Sequence, residues 1–233
     1  MNHTTPETSS SAVPRRPRGL ASWSPRTAAL IAGVALSLMA VLGGFANFGV
    51  LVPMITPGDA AQTAQNISGS RLLFLSGVAS FVIVALLDIL VAGALYTLFK
   101  PVSRRISTAA AWLRTIYALL LMVAVSRLLV GWSLLGNPEK ALPVLESFNT
   151  IWVISLGLFG ISLLLVGYLA IRSAFMAKVF GILLALAGAG YVADAIGMVF
   201  IPGFTAVFAQ FMFGGEVAII FWLLIRGRRL PSN

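Results

Sequence analysis

The stretch RLLFLSGVASFVIVALLDILVAGALYTLFK, residues 71–100, has one charged residue, Asp88, between its first arginine and its last lysine. Each helical residue advances about 1.5 Å, so the stretch is long enough to cross a bilayer core of about 30 Å. A charge at that depth costs about 2.5–3.5 kcal/mol on insertion scales and normally faces a bundle interior or a wet cavity. The stretch therefore predicts a transmembrane helix with an inward-facing carboxylate.

The same pattern recurs along the whole chain. Of the 233 residues, 59% are hydrophobic and 10% are charged, whereas soluble domains are about 45–50% apolar and about 25% charged. Six apolar runs of roughly 20–29 residues are each long enough to span a bilayer. They lie near residues 27–52, 72–99, 107–135, 149–171, 179–201 and 204–225. We expect an all-α polytopic membrane protein with six transmembrane helices in one bundle.

Five ionisable residues lie inside these apolar runs. They are Asp88, Arg114, Arg127, Asp194 and Glu216. Intramembrane charges of this kind mark a functional site by default, because they are costly unless they pair with one another or line a cavity. We therefore take these five residues as the candidate site, an intramembrane charge network that could form an ion or proton path.

The basic residues divide unequally between the two sides of the predicted bundle. Twelve of the sixteen lysines and arginines fall before the first run, after the second, between the fourth and fifth, or after the sixth. The opposite loops hold Arg71 and Lys140, beside the acids Asp59, Glu139 and Glu146. Basic residues accumulate on the cytoplasmic side, so we expect both termini in the cytoplasm and the chain in the cell membrane.

Two terminal segments differ in composition from the apolar runs. Residues 1–26 are rich in Ser, Thr, Pro and Arg, with too little apolar surface to offset the entropy of ordering. We interpret them as a disordered basic cytoplasmic tail, residues 27–225 as the six-helix transmembrane domain, and residues 226–233 as a second basic cytoplasmic tail.

The two longer outer loops have different predicted structures. In the first, Asp59 is expected to cap a short helix over residues 60–67, because its side chain can accept hydrogen bonds from the first free N–H groups. In the second, residues 138–143 are interpreted as a polar connector between the third and fourth spans. Close packing of helices is expected at small residues. These are Gly43-Gly44, Gly157 with Gly160, Gly188 with Gly190, and Gly214-Gly215.

Composition excludes several kinds of site and partner. The chain has no cysteine, and its one histidine, His3, lies in the predicted tail. Thiolate metal sites, histidine metal centres and a Ser-His-Asp triad therefore lack their ligands or bases, and we expect no metal and no cofactor. The formal net charge of +9 comes from residues at the ends of the apolar runs, so we expect no nucleic-acid partner. The expected partners are the lipid bilayer and another membrane protein or a second copy of the chain.

Several short motifs share their order and spacing with a known family. They are Pro57-Gly58-Asp59-Ala60-Ala61, Leu95-Tyr96-Thr97-Leu98-Phe99-Lys100-Pro101-Val102, Gly167-Tyr168-Leu169 with Arg172-Ser173, and Gly181-Ile182-Leu183-Leu184 with Ala187-Gly188, Gly190-Tyr191 and Asp194. Over nearly all of residues 27–225 the chain resembles the DUF4386 family of six-span bacterial membrane proteins of unknown function. The resemblance implies the architecture and supplies no chemistry.

The chain departs from that family's pattern at two places. Members often carry a histidine where this chain has Ser162, and a proline in the turn where it has Met176 or Ala177. A role for that histidine therefore does not transfer to this chain.

Depth along each helix indicates which of the five ionisable residues could meet. Arg127 and Asp194 lie about 13 Å and about 12 Å from the same side of the membrane, so we expect them to pair. Glu216 lies near mid-membrane, and Asp88 lies at a similar depth measured from the inside. Arg114 is close to the cytoplasmic end of its span, and its side chain either joins this set or extends to the headgroups.

Three acids against two arginines leave one excess negative charge inside the bundle, so one carboxyl is expected to hold a proton. The first interpretation is a structural charge network in a non-catalytic scaffold or accessory subunit. The second is a small proton- or cation-coupled transporter, with Glu216 as the titrating acid beside Gly214-Gly215. The third is an intramembrane enzyme, which paired acids could serve although the spans hold no histidine or cysteine.

Overall fold

The computed structural model describes residues 23–231, without the side chains of residues 209–213. Helices make up most of this part of the chain. They are α1 (Pro25–Gly44, continued by a π-helical segment Phe45–Leu51 and by Val52–Met54), α2 (Ala60–Gly69), α3 (Arg71–Phe99), α4 (Arg104–Ser133), α5 (Pro138–Arg172), α6 (Lys178–Phe200) and α7 (Phe208–Ile225). The all-α prediction is confirmed for the described residues.

Five of these helices are long and apolar enough to cross a membrane, namely α1 with its continuation, α3, α4, α5 and α6. Many of their large apolar side chains are exposed on the outside of the bundle, among them Val41, Phe48 and Leu72. Exposed apolar side chains on every long helix suit a lipid environment, where no hydrophobic driving force hides them. The architecture is that of a multi-pass membrane protein.

Local signals in the sequence set the starts of the first two helices. Ser24 accepts a hydrogen bond from the Thr27 N–H, and Pro25 occupies the first turn of α1, where its missing N–H costs nothing. Asp59 accepts a hydrogen bond of 2.9 Å from the Gln62 N–H at the start of α2. The predicted capped helix after Asp59 is therefore confirmed, and it extends to Gly69.

Two predicted boundaries are wrong. Residues 138–143, expected to be a connector, are the first part of α5, which is 35 residues long and contains Pro143. The last helix begins at Phe208 rather than near residue 204. In both places the helix boundary does not coincide with the end of the apolar run, so hydrophobic length alone could not locate it.

The six long helices form a closed ring in chain order. α1 packs on α3, α3 on α4, α4 on α5, α5 on α6 and α6 on α7, and α7 returns to α1. The short α2 lies against α5. Each long helix therefore has its sequence neighbours as spatial neighbours, and the side chains that point inward from all six can meet.

The α5–α6 contact is made through glycines. A methyl group added at Gly188 would lie 2.5 Å from the carbonyl oxygen of Gly160, and one added at Gly181 would lie 2.6 Å from that of Gly167. The prediction of close packing is thus confirmed at Gly160 and Gly188, and also at Gly157 and Gly215, where an added methyl group would lie 2.8 Å from Ala195 and 2.6 Å from the Leu183 carbonyl oxygen. It is wrong at Gly43, Gly44 and Gly214, where an added methyl group meets nothing within 4 Å.

Both described ends of the chain lie at the same end of the ring. The Arg26 N–H donates a 3.3 Å hydrogen bond to the carbonyl oxygen of Pro231. We call this the basic end, because the basic clusters at residues 100–105, 172–178 and 226–229 also lie where helices reach it. Most of the predicted tail, residues 1–22, lies outside the described residues, and α1 already begins at Pro25.

Candidate functional site

An ion pair joins α3 to α4 inside the ring. The Arg114 Nε lies 2.5 Å from the Asp88 Oδ1, and the two side chains are only 2% and 1% exposed. The Arg114 guanidinium also lies over the ring of Phe159 on α5, 4.7 Å from its centroid. Arg114 therefore does not extend to the headgroups. It belongs to the interior, where an oppositely charged partner offsets part of the cost of burial.

A second carboxylate, that of the half-buried Glu216, joins α6 to α7. The Tyr191 hydroxyl donates a 2.5 Å hydrogen bond to Glu216 Oε1. The Tyr191 ring contacts Phe159 edge to face at 5.4 Å between centroids, so Phe159 lies between this pair and Arg114. Phe159 is thus the side chain that contacts both Arg114 and Tyr191.

Asp194 on α6 caps the first turn of α7. Its Oδ1 accepts hydrogen bonds from the backbone N–H groups of Val207 at 3.0 Å and Phe208 at 3.1 Å. The first N–H groups of a helix have no partner within the helix, and the helix dipole favours a negative charge there. The 1% exposed Asp194 carboxylate therefore fixes where the last helix begins.

Arg127 joins α4 to α5 and is half-buried. Its Nε donates a 3.0 Å hydrogen bond to Ser147 Oγ, which in turn donates to the Val144 carbonyl oxygen. Among the described residues, the ion pair of the interior is Arg114–Asp88. The expected ion pair between Arg127 and Asp194 is therefore wrong, because each of the two residues contacts a helix adjacent to its own.

An aromatic cluster covers the Arg114–Asp88 pair on the side away from the basic end. Phe81, Phe148 and Trp152 contact one another at 5.1–5.6 Å between centroids. Trp152 Nε1 donates a 3.4 Å hydrogen bond to the Tyr117 hydroxyl, and Tyr117 packs on Phe159 at 5.0 Å. We call Phe81, Tyr117, Phe148 and Trp152 the aromatic plug; they lie between α3, α4 and α5, on the side of the ion pair that faces the outer loops.

The space next to Arg114 is small. On the side facing the basic end, a crevice lined by α3, α4 and α5 leaves about 10 Å³ in which the centre of a water molecule fits. A volume of about 10–15 Å³ on this measure holds one water. The site can therefore hold water beside the ion pair, and it has no room for an organic solute in this conformation.

Sequence reasoning found the five ionisable residues and missed most of the groups that they contact. Tyr191, Ser147 and Phe159 are ordinary constituents of apolar helices, and the N–H groups of Val207 and Phe208 belong to the backbone. Aromatic residues at helical spacing from a buried charge were the available signal. That signal is weak because such residues usually form core packing.

Comparison with known proteins places the chain in a family. A family model described as "Domain of unknown function (DUF4386)" matches residues 31–227. A relative from Archaeoglobus fulgidus, named "Uncharacterized protein", is 32% identical over 150 residues, which are 64% of this chain and 83% of that protein. No solved structure matches the chain. The chain belongs to the DUF4386 family, as its motifs indicated.

Proposed function

We propose that this member of the DUF4386 family is a non-catalytic scaffold or accessory subunit of the cytoplasmic membrane, in which the ionisable residues of the spans, buried or half-buried, hold neighbouring helices together. The observation that carries the proposal is the distribution of the five residues. Asp88 and Arg114 join α3 to α4, Arg127 joins α4 to α5, and Asp194 and Glu216 join α6 to α7. Each contact bridges two adjacent helices of the ring.

This distribution is what a structural role requires. Ionisable residues that conduct ions would line a continuous path from one face of the bundle to the other. Here the aromatic plug lies on one side of the ion pair, and the crevice beside it holds about one water. Removing one partner of such a contact leaves an uncompensated buried group, so the cost of loss is structural.

The proposal includes six spans with both termini in the cytoplasm. The hydrogen bond from Arg26 to Pro231 supports an even number of crossings, since it holds the two chain ends together. Twelve of the sixteen basic residues lie in segments assigned to that side, which supports its cytoplasmic location. The sixth span is α7, whose 18 residues are apolar apart from Gln210 and Glu216.

A reconstituted system tests the scaffold against transport. Purified protein in liposomes with an internal pH dye would be exposed to an imposed pH gradient and a panel of solutes and cations. The scaffold predicts that wild type and Glu216→Gln give the same dye signal as empty liposomes. It also predicts that wild type and Glu216→Gln are both purified from the membrane either in a fixed ratio with one other membrane protein or as a dimer.

A small proton- or cation-coupled transporter is the second candidate function. The favouring observation is the excess of acid in the spans, three carboxyl groups against two arginines, where Glu216 receives a hydrogen bond from Tyr191. A proton flux that depends on a cation or solute and that Glu216→Gln abolishes would show transport and contradict the scaffold proposal. The amide oxygen introduced by Glu216→Gln can still accept the Tyr191 hydrogen bond, so such a loss would report on titration and not on folding.

A further inference from the structure

A crevice between α3, α4 and α5 leads from the basic end toward the buried ion pair. Its lining runs over residues 92–99 of α3, 107–114 of α4 and 162–169 of α5. Each of these segments covers about 10 Å along its helix. The crevice therefore begins near the loop that joins α3 to α4 and ends at Arg114 and Ala92, and Ala92 is about one helical turn from Asp88.

The mouth of the crevice lies between α3 and α4. Tyr96 and Ala111 are the half-buried residues of its lining, and the others are buried. The Tyr96 ring lies 5.9 Å from the Lys100 ammonium group. A tyrosine beside a lysine at the end of a span is typical of the headgroup region, where water is present at the mouth.

The closed end of the crevice is polar and incompletely hydrogen-bonded. Arg114 Nη2 is buried and has no hydrogen-bond partner among the described groups. Ser162, which is 0% exposed, donates its hydroxyl to the Ala110 carbonyl oxygen at 2.9 Å and keeps its acceptor lone pairs. A donor without a partner costs about 1–3 kcal/mol when buried, more for a charged group. The same crevice has space for one water.

The opposite side of the ion pair is closed. Phe81, Phe148 and Trp152 pack there ring against ring, Tyr117 packs on Phe159, and the ring of Phe159 covers the guanidinium. Among these aromatic side chains, the hydrogen bond is the one from Trp152 to the Tyr117 hydroxyl, and rings packed on one another leave little space for water. The surroundings of the ion pair are therefore asymmetric along the axis of the ring.

We propose that the crevice is a water-binding site in which Arg114 Nη2 donates to the innermost water, so that the buried ion pair is hydrated from the basic end only. Ser162 accepts from the same water, and Tyr96 covers the entrance. The inference is independent of the proposed function, because a scaffold and a transporter could both contain a hydrated arginine.

The rate at which Ag⁺ reacts with single introduced cysteines tests the site. Ag⁺ is close to water in size and reacts with thiols, and the natural chain has no cysteine to react in the background. Ser162→Cys places a thiol at the closed end of the crevice. Leu121→Cys is the matched control, since Leu121 is also 0% exposed and lies about two turns beyond Arg114 on the aromatic side. Protein in membrane vesicles would be treated with Ag⁺ in chloride-free buffer, and remaining thiols counted after denaturation.

The proposal predicts that the thiol of Ser162→Cys reacts with Ag⁺ at least roughly tenfold faster than the thiol of Leu121→Cys, because a thiol without access to water reacts only when the bundle opens locally. Tyr96→Ala in the Ser162→Cys background should accelerate the reaction further. Ala92→Cys, in the same lining, gives a second reporter if Ser162→Cys does not fold. Equal rates for the crevice and control positions in folded protein would overturn the proposal.

The side of entry is a separate outcome of the same experiment. Everted and right-side-out vesicles would be compared, with Arg229→Cys marking the face that carries the basic end. A faster reaction of Ser162→Cys when Ag⁺ is added on the side where Arg229→Cys is exposed supports entry at Tyr96. A faster reaction when Ag⁺ is added on the opposite side contradicts hydration from the basic end, whichever way the protein is oriented in the cell.

Discussion

Arg114 and Asp88 form an ion pair in which each side chain is at most 2% exposed, and the guanidinium is covered by Phe159 from a third helix. The pair ties α3 to α4 at the centre of a closed ring. The other three ionisable residues of the spans make similar contacts between neighbouring helices. A set of separate ties, and not one continuous network, is therefore the organising feature of the interior.

Replacing Asp194 should uncap the last helix. Asp194→Ala removes the acceptor for the Val207 and Phe208 N–H groups, and loss of a cap costs about 0.5–2 kcal/mol. We expect faster hydrogen exchange of these two amides and a lower midpoint of thermal unfolding in detergent. Asp194→Asn, which keeps an acceptor oxygen, should retain most of the protection. Unchanged exchange in Asp194→Ala would show that α7 does not depend on the cap.

Adding one methyl group to the α5–α6 interface should destabilise the ring. Gly188→Ala would place a carbon 2.5 Å from the Gly160 carbonyl oxygen, and overpacking of this kind typically costs about 1–3 kcal/mol. Gly93→Ala is the matched control, because nothing lies within 4 Å of its added methyl group. Thermal unfolding should separate the two variants clearly. Equal midpoints would mean that the two helices can move apart at no cost.

Removing the hydroxyl of Tyr191 should be more damaging than neutralising its partner. Tyr191→Phe leaves the half-buried Glu216 without its donor, and a hydrogen bond of this kind is worth about 0.5–1.5 kcal/mol, more where one partner is charged. Glu216→Gln keeps an acceptor for the same hydroxyl and should unfold at a higher temperature than Tyr191→Phe. The reverse order of unfolding temperatures would count against a structural tie.

Impermeant thiol labelling in intact cells should report the membrane topology. Gln62→Cys and Lys140→Cys lie at exposed positions of the end opposite the basic end, whereas Arg229→Cys and Ser103→Cys lie at the basic end. We expect labelling at the first two positions and none at the others until the cells are lysed. Labelling of Arg229→Cys and Ser103→Cys alone would show that the orientation is the reverse of the one proposed. Labelling of one member from each end would contradict the proposed arrangement of six crossings.

Hydrophobic length predicted most helices closely because lipid imposes that length. The run near 72–99 is helix Arg71–Phe99, and the run near 179–201 is helix Lys178–Phe200. The same criterion failed at α5, whose first eleven residues precede the predicted span. A helix that continues beyond the bilayer needs no apolar residues there, so composition could not distinguish it from a connector.

The ionisable residues were easy to predict and their partners were not. A charge within an apolar run is visible in the sequence, but depth gives only its height along a helix and says nothing about the direction in which it points. Arg127 and Asp194 have similar heights, yet α5 lies between α4 and α6 in the ring. Tyr191 and the backbone N–H groups of α7 have no distinctive sequence signal, so neither the Glu216 contact nor the Asp194 cap could be foreseen.

The central claim is that buried charges act here as ties between helices, and a double-mutant cycle at the ion pair tests it most directly. Thermal unfolding in detergent would be measured for wild type, Asp88→Leu, Arg114→Met and the double variant, with Arg127→Met as the half-buried arginine control. Removing one partner of a buried pair costs about 3–5 kcal/mol because it leaves the other charge uncompensated, whereas an apolar replacement of both is often neutral. We predict large losses in both single variants at the pair, a smaller loss for Arg127→Met, whose tie is one half-buried hydrogen bond to Ser147, and recovery of most of the stability in the double variant. Additive losses in the double variant would contradict the account.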